Sequence, residues 1–497
     1  MLKKLKQKKF SKPFLEIGIL WGAQVFSTAL IFLTQLILAK ILTIQEYGAF
    51  STALNVVGIV SSLAAFGIGP FLLKVFGEEG WEGRRWLRSI FGIAVFSSLI
   101  SLVVVLVYIL LSPSPKLTKT ILLVFIIIVI CQGMLNMSNS VLQLEGKYIH
   151  LAICDTLLPL LRFVTVLAFF ILNGSIHTLS IGYSVVSLIV IYISFLLLKR
   201  LYNDGLELKG HGNKPSGTGK GLTIPGLSQT IKEIWPFGMV GFFYLIYYQS
   251  AIVLINMIMG EESAGIYNVA FTVLSFVYMF PNILYQKYLL PKIFRWANSD
   301  RNTLYKLYNY GSKSILLVGI ILMFITCMSS FYMIPKIFGA KFSEASYVLS
   351  IMSLAIPVRL LGNNLGSILT TGKQMKTKVY YQGVGAVFNV VLNVILIRNI
   401  GIYGAAISTV LTECLITILF IYRATKIVKP LTDKKVKYTK LYIIYCLVAF
   451  VLTIYYLKFN YAENIYVSTL FLFMYVLLSL LLGYFLLKEI LGKKTKV

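Results

Sequence analysis

The chain has 497 residues, of which 58% are hydrophobic and 13% charged, with a mean hydropathy of +0.82. This composition excludes a string of soluble domains and points to a polytopic helical membrane protein, because backbone groups in lipid must be satisfied within each segment. The net charge of +28 would suggest nucleic acid in a soluble protein. Here the placement of basic loops accounts for it, and no nucleic-acid partner is needed.

The basic start, MLKKLKQKKFSK, precedes an apolar run too long for a cleaved signal peptide, so it reads as a retained first span. Fourteen spans follow from apolar runs of roughly 20 residues. The first six cover about 14–38, 49–72, 89–112, 119–142, 149–172 and 178–198. The next six cover about 234–259, 265–290, 312–334, 345–370, 377–397 and 402–425, and a last pair about 439–457 and 465–488. The fold class expected is all-α: an N-terminal lobe (1–198), a cytoplasmic linker (199–233), a C-terminal lobe (234–430) and a terminal helix pair (431–497). The linker is polar and glycine-rich, and its Gly212–Gly221 stretch lacks the strand and residue order of a phosphate loop. With a cytoplasmic N-terminus, 37 of the 46 Lys and Arg fall in inner segments and seven in outer loops. That asymmetry puts both chain ends on the cytoplasmic side of the plasma membrane.

A repeat runs through this arrangement. LAKILTIQEYGAFSTALNVV (Leu38–Val57) has an echo in INMIMGEESAGIYNVAFTVL (Ile255–Leu274). Aligning Gly48 with Gly265 brings Phe50 onto Tyr267 and Ala53 onto Ala270. A helix–turn–helix repeated in a membrane protein implies two homologous bundles with a cleft between them.

Several stretches resemble polysaccharide flippases, of O-antigen or capsule type, in the multidrug/oligosaccharidyl-lipid/polysaccharide exporter superfamily. They are LAKILTIQEYGAFS with AAFGIGPFLLKVFGE, GEESAGIYNVA with FPNILYQKYLLPKI, and IFGAKFSEASYVLSIM followed by FNVVLNVILIRNIGIYGAAISTVLTE. The resemblance covers nearly the whole chain. It implies two six-helix lobes related by a pseudo-twofold, and transfer of a polyprenyl-(pyro)phosphate-linked oligosaccharide between leaflets, near a polymerase and glycosyltransferases. One departure matters: relatives often carry Asp in the seventh span, where this chain has Gln249, Ser250 and Ala251. The ion role of that family position therefore does not transfer.

Passing a sugar phosphate across an apolar layer calls for cations and amphipathic surfaces at mid-membrane. Arg162 and Arg359 each lie about fourteen residues into a span, roughly 20 Å deep at ~1.5 Å per residue, and are candidates for binding phosphate. Tyr244, Tyr247, Tyr248 and Gln249 cluster in the seventh span and suit a sugar face. Asn363 and Asn364, after Pro357 and Gly362, suggest a kinked tenth span lining a cavity, with Gln132, Asn136 and Asn139 as its counterpart in the fourth. Glu413 is the leading candidate for a protonatable coupling group, and Asp155, seven residues before Arg162, a counter-charge or part of an ion path. A coupling ion, H+ or Na+, is the only cofactor expected. The five cysteines read as buried hydrophobes, and the three histidines form no metal or catalytic set. Besides a lipid-linked oligosaccharide flippase, the residues admit a small-molecule exporter of the same fold. They also admit a non-transporting scaffold, in which both arginines would be salt-bridged.

Overall fold

A computed structural model describes residues 12–203, 206–208, 223–282, 307–370 and 374–428, with single positions at 293, 305 and 477. The terminal helix pair lies outside the described residues, as does the linker over 204–205 and 209–222. The described chain is helical with no strand.

Helices α1 (Lys12–Ile41), α2 (Ile44–Ala65), α3 (Ile68–Glu79), α4 (Leu87–Leu111), α5 (Lys116–Leu144), α6 (Tyr148–Leu172) and α7 (Ile176–Tyr202) form the N-terminal part. After them come α8 (Leu227–Met259), α9 (Glu261–Asn282), α10 (Ser312–Phe338), α11 (Ala345–Ser353), α12 (Ala355–Ile368) and α13 (Met375–Val428). The last is two helices run together, separated by non-helical backbone at Ile400 and Gly401. Among the described residues eight helical stretches are long and apolar enough to cross a membrane, or nine with the bent pair α11 and α12.

Two expectations change. The second span does not run through to residue 72: Phe66 (φ 33°) and Gly67 (φ 69°) take left-handed conformations and split it into α2 and α3. Glycine tolerates that passage, and phenylalanine rarely does. The linker is also shorter than 199–233. Leu206 and Leu208 are buried in an apolar cluster with Phe71, Trp86 and Ile234, Ser89 donates to the Pro225 carbonyl at 2.6 Å, and α8 begins at Leu227.

The tenth span is broken, as expected, but at a different place. α11 and α12 meet at 45° around Leu354, three residues before Pro357. A proline ring clashes with the carbonyl four residues earlier, here Ser353, so the bend falls ahead of it. Asn363 and Asn364 lie well inside α12, away from the break.

The chain divides into two compact units. The first comprises residues 1–38, 60–111 and 120–242, and the second 39–59, 112–119 and 243–497. The short segments 39–59 and 112–119 thus belong with the C-terminal helices rather than with the lobe they follow in sequence. Charge pairs tie the first unit at one end: the buried Glu145 carboxylate meets Arg200 (3.0 Å) and Lys147 (3.1 Å), and Glu207 joins both. A hydrogen bond from Lys147, then the nearby charges of Lys147 and Arg200, hold the Glu207 carboxyl below its ordinary range.

Inside the second unit the repeated glycines meet each other. A Cβ on Gly48 would lie 1.7 Å from the Glu261 carbonyl oxygen and 2.8 Å from the Gly265 nitrogen; one on Gly265 would lie 2.6 Å from the Ile44 carbonyl oxygen. Only glycine permits that approach. Gly48→Ala should therefore destabilise the protein by ~1–3 kcal/mol through overpacking. Gly77→Ala, where an added Cβ meets nothing within 4 Å, should change little. Thermal unfolding of both variants in detergent checks this, and equal midpoints would contradict it.

Candidate functional site

A dense group of intramembrane polar side chains lies in the second unit. α12 carries Arg359, 3% exposed, and α13 carries Glu413, 5% exposed. The two form an ion pair through Nη1 and Oε1. Arg359 Nη2 donates to the Tyr244 hydroxyl at 2.6 Å, and its Nε is buried without a hydrogen-bond partner. The guanidinium also lies 4.3 Å from the Tyr248 ring centre and 4.7 Å from that of Tyr278. Cation–π attraction gains strength where water is excluded.

Helical spacing explains how these groups converge. Tyr244 and Tyr248 are four residues apart on α8, so their rings stack at 5.5 Å on one face. Tyr247 turns edge-on to Tyr244, also at 5.5 Å, and Tyr248 bonds Ser275 of α9 through its hydroxyl at 2.8 Å. One turn further along α8, Ser250 donates to Asn389. Asn389 in turn receives from Asn393 and donates to Thr412 and Ser408 on the other half of α13. A buried polar ladder thus runs alongside the ion pair.

A second polar group surrounds the glycine crossing. Glu261, 4% exposed, accepts from Gln45 Nε2 (3.0 Å), Thr118 N (2.9 Å) and Thr118 Oγ1 (2.7 Å). Asn268 donates to the Tyr47 hydroxyl (2.8 Å) and to Ser51 Oγ (2.9 Å). In the repeat alignment Ser51 and Asn268 are equivalent positions, as Gly48 and Gly265 are. The pairing is therefore between counterparts of the two repeats.

The remaining sequence candidates are distributed as follows. Arg162 belongs to the first unit and is half-buried, its guanidinium 5.2 Å from the Tyr183 ring centre. Its Nε and Nη2 are buried with no hydrogen-bond partner. Asp155 accepts a hydrogen bond from Asn139 at 2.7 Å. Gln132 accepts from Ser61, and Asn136 is exposed at the surface of the first unit. Gln249 has a buried Oε1 without a partner, aimed at the site a Gly58 side chain would fill. Asn364 is fully buried and donates to Ser312, its Oδ1 buried without a hydrogen-bond partner; Asn363 is only partly buried. The scaffold reading required both arginines to be salt-bridged, and only Arg359 is. Sequence reasoning passed over Tyr278 and the Asn389–Asn393 pair. Their signal was spacing: Asn389 and Asn393 are four residues apart, as are Ser408 and Thr412.

The sequence model of the family described as polysaccharide biosynthesis protein matches residues 16–297. The chain belongs to this family. Among relatives of the family member described here is the probable low-salt glycan biosynthesis flippase Agl15 of Haloferax volcanii. The two are 27% identical over 175 residues, 34% of this chain and 36% of that protein. An uncharacterised membrane protein of Methanocaldococcus jannaschii is 21% identical over 414 residues, 82% of this chain and 96% of that one. Of solved structures, the lipid II flippase MurJ in an inward closed conformation is similar at a TM-score of 0.65 and 14% identity, covering 96% of this chain and 100% of that one. An inward-facing multidrug resistance MATE transporter of the MOP superfamily is similar at 0.57 and 13% identity, covering 82% and 96%. The family member is thus a multi-pass membrane protein of polysaccharide biosynthesis, with the fold shared by flippases and multidrug exporters.

In this family member the Arg359–Glu413 pair is also a stability element. Removing one partner leaves a charge buried and unpaired, at a cost of about 3–5 kcal/mol, while replacing both with apolar groups of similar volume is close to neutral. Arg359→Met and Glu413→Leu should each lower thermal stability strongly, and the double variant should recover most of the loss. Additive losses in a double-mutant cycle would show that the pair does not act as a unit.

Proposed function

We propose that the chain carries a polyprenyl-(pyro)phosphate-linked oligosaccharide from the cytoplasmic to the outer leaflet of the plasma membrane by alternating access. It does so for cell-surface polysaccharide assembly, beside the polymerase and glycosyltransferases that use the same carrier. The observation that carries this reading is the crossing of Gly48 and Gly265. Equivalent turns of two repeats meet there, backbone against backbone, and are held by hydrogen bonds from Asn268 and to Glu261. Such bonds exchange for water at modest net cost, about 0.5–1.5 kcal/mol each. The crossing can therefore open as a unit. With both termini cytoplasmic, as the loop charges favour, it is an outer seal, and cargo enters from the inner side while it is closed.

Arg359 and Glu413 are the coupling element. A proton on Glu413 removes the negative charge facing Arg359. The guanidinium, with Nε already unpaired, then turns its planar fork to the cargo phosphate. Tyr244 and Tyr248 offer ring faces and hydroxyls to the sugars. Arg162, whose Nε and Nη2 are also unpaired, is a candidate anion-binding cation within the first unit. Protons suit this site better than sodium, because a metal cation at Glu413 would face the guanidinium directly.

Two measurements test the reading. Ser51→Cys with Asn268→Cys should form a disulfide under oxidation that stops export, and a reductant should restore it; export that continues through the cross-linked protein would contradict the seal. In proteoliposomes a proton gradient should drive movement of the lipid-linked oligosaccharide and a sodium gradient should not. Sodium-driven movement would remove the proton from the mechanism.

A further inference from the structure

The first unit contains a crevice of about 650 Å3, within the roughly 300–1,000 Å3 usual for small-ligand sites. It exists because α2 stops short. Phe66 and Gly67 turn the chain aside, and the wall they leave is built from small residues. A Cβ on Gly133 of α5 would lie 3.3 Å from that of Ala64, and Ala94 of α4 faces the same hollow. Irregular backbone at membrane depth is tolerated where it lines such a cavity.

The crevice opens sideways. Val95 and Leu99 of α4 and Phe195 of α7 line it and are 63%, 56% and 52% exposed. These helices are apolar enough to cross a membrane, so that exposure is to acyl chains. Apart from Ser98, the polar lining residues gather at one end: Lys199, Tyr202 and Asn203, where α7 finishes. Lys199 is exposed and makes no ion pair among the described residues, whereas its neighbour Arg200 is held by Glu145 and Glu207. An apolar pocket with a free cation at its lip matches one kind of molecule.

We propose that this crevice holds one acyl chain of an anionic phospholipid, with the phosphate at Lys199. Met134 and Met137 line the pocket, and thioether chains adapt readily to a flexible occupant. Bulk phospholipid is present at high concentration in any bilayer, so mass action keeps even a weak site filled. Ala64 and Gly133 line the hollow, and a lipid held by its phosphate at Lys199 stays in the leaflet of its headgroup. A cargo tail must instead leave with its headgroup. The bound chain fills the void beside the Phe66–Gly67 turn and stabilises the first unit. None of this rests on the cargo assignment.

Native mass spectrometry of the full chain in detergent tests the site, with phosphatidylglycerol and phosphatidylcholine of identical chains as probes. One phosphatidylglycerol per chain should survive activation that strips phosphatidylcholine. Lys199→Glu should weaken its retention at least tenfold, while Lys40→Glu, an exposed lysine at the far end of α1, should not. Ala94→Trp, or Ser98→Trp if the first fails to fold, should fill the crevice and displace the lipid without lowering the thermal midpoint. Equal retention of the two lipids would overturn the proposal. So would retention unchanged by Lys199→Glu and the tryptophan variant, or displacement of phosphatidylglycerol by an equimolar polyprenyl phosphate.

Discussion

Taking a guanidinium out of water costs several kcal/mol unless its surroundings return the lost charge and hydrogen bonds. Arg359 meets that demand with groups from three helices: Tyr244 and Tyr248 from α8, Tyr278 from α9, and Glu413 from α13. α12 itself supplies the arginine. The break ahead of Pro357 and the close approach of Gly319 to Pro357, where an added Cβ would sit 2.7 Å from the proline Cα, set where α12 lies. One buried cation therefore constrains how the helices of the second unit pack. Its unpaired Nε leaves it able to take another acceptor, which a purely structural arginine would not need.

The glycine crossing places a different constraint on the same unit. Backbone contact between two repeats excludes any side chain at Gly48 and Gly265, while Tyr47, Phe50 and Tyr267 are buried beside them. Of the polar groups around it, Glu261 accepts short bonds from Gln45 and Thr118, and Asn268 donates to Tyr47 and Ser51. A tight, polar and symmetric joint can serve as a gate. A large hydrophobic interface would hold such helices together permanently.

Most of the architecture was legible in the sequence, because apolar run length and loop charge act everywhere along a membrane chain. The first nine predicted spans, as far as they are described, and the division of α13 at Gly401 appear in the coordinates within about four residues, apart from both ends of the second and the start of the seventh, which begins seven residues earlier at Leu227. What sequence reasoning missed is local. The Phe66–Gly67 turn lies just ahead of Pro70, as the Leu354 bend lies just ahead of Pro357, and both breaks fall where a proline ring meets the carbonyl four residues earlier. Partner choice was the harder part. Arg359 and Glu413 were singled out separately for their depth, but 54 residues of sequence separate them, and no local spacing reveals that they face each other. The repeat was visible as an alignment of glycines. That the aligned glycines touch follows only from the fold.

A flippase differs from a scaffold or a drug exporter in what builds up when it is absent. The most direct measurement is mass spectrometry of lipid-linked sugars in cells depleted of this protein, with sidedness read by an impermeant glycan-modifying reagent. Completed oligosaccharide units should accumulate on polyprenyl (pyro)phosphate at the cytoplasmic face. An unchanged pool, or one that stays equally accessible from outside, would contradict the account.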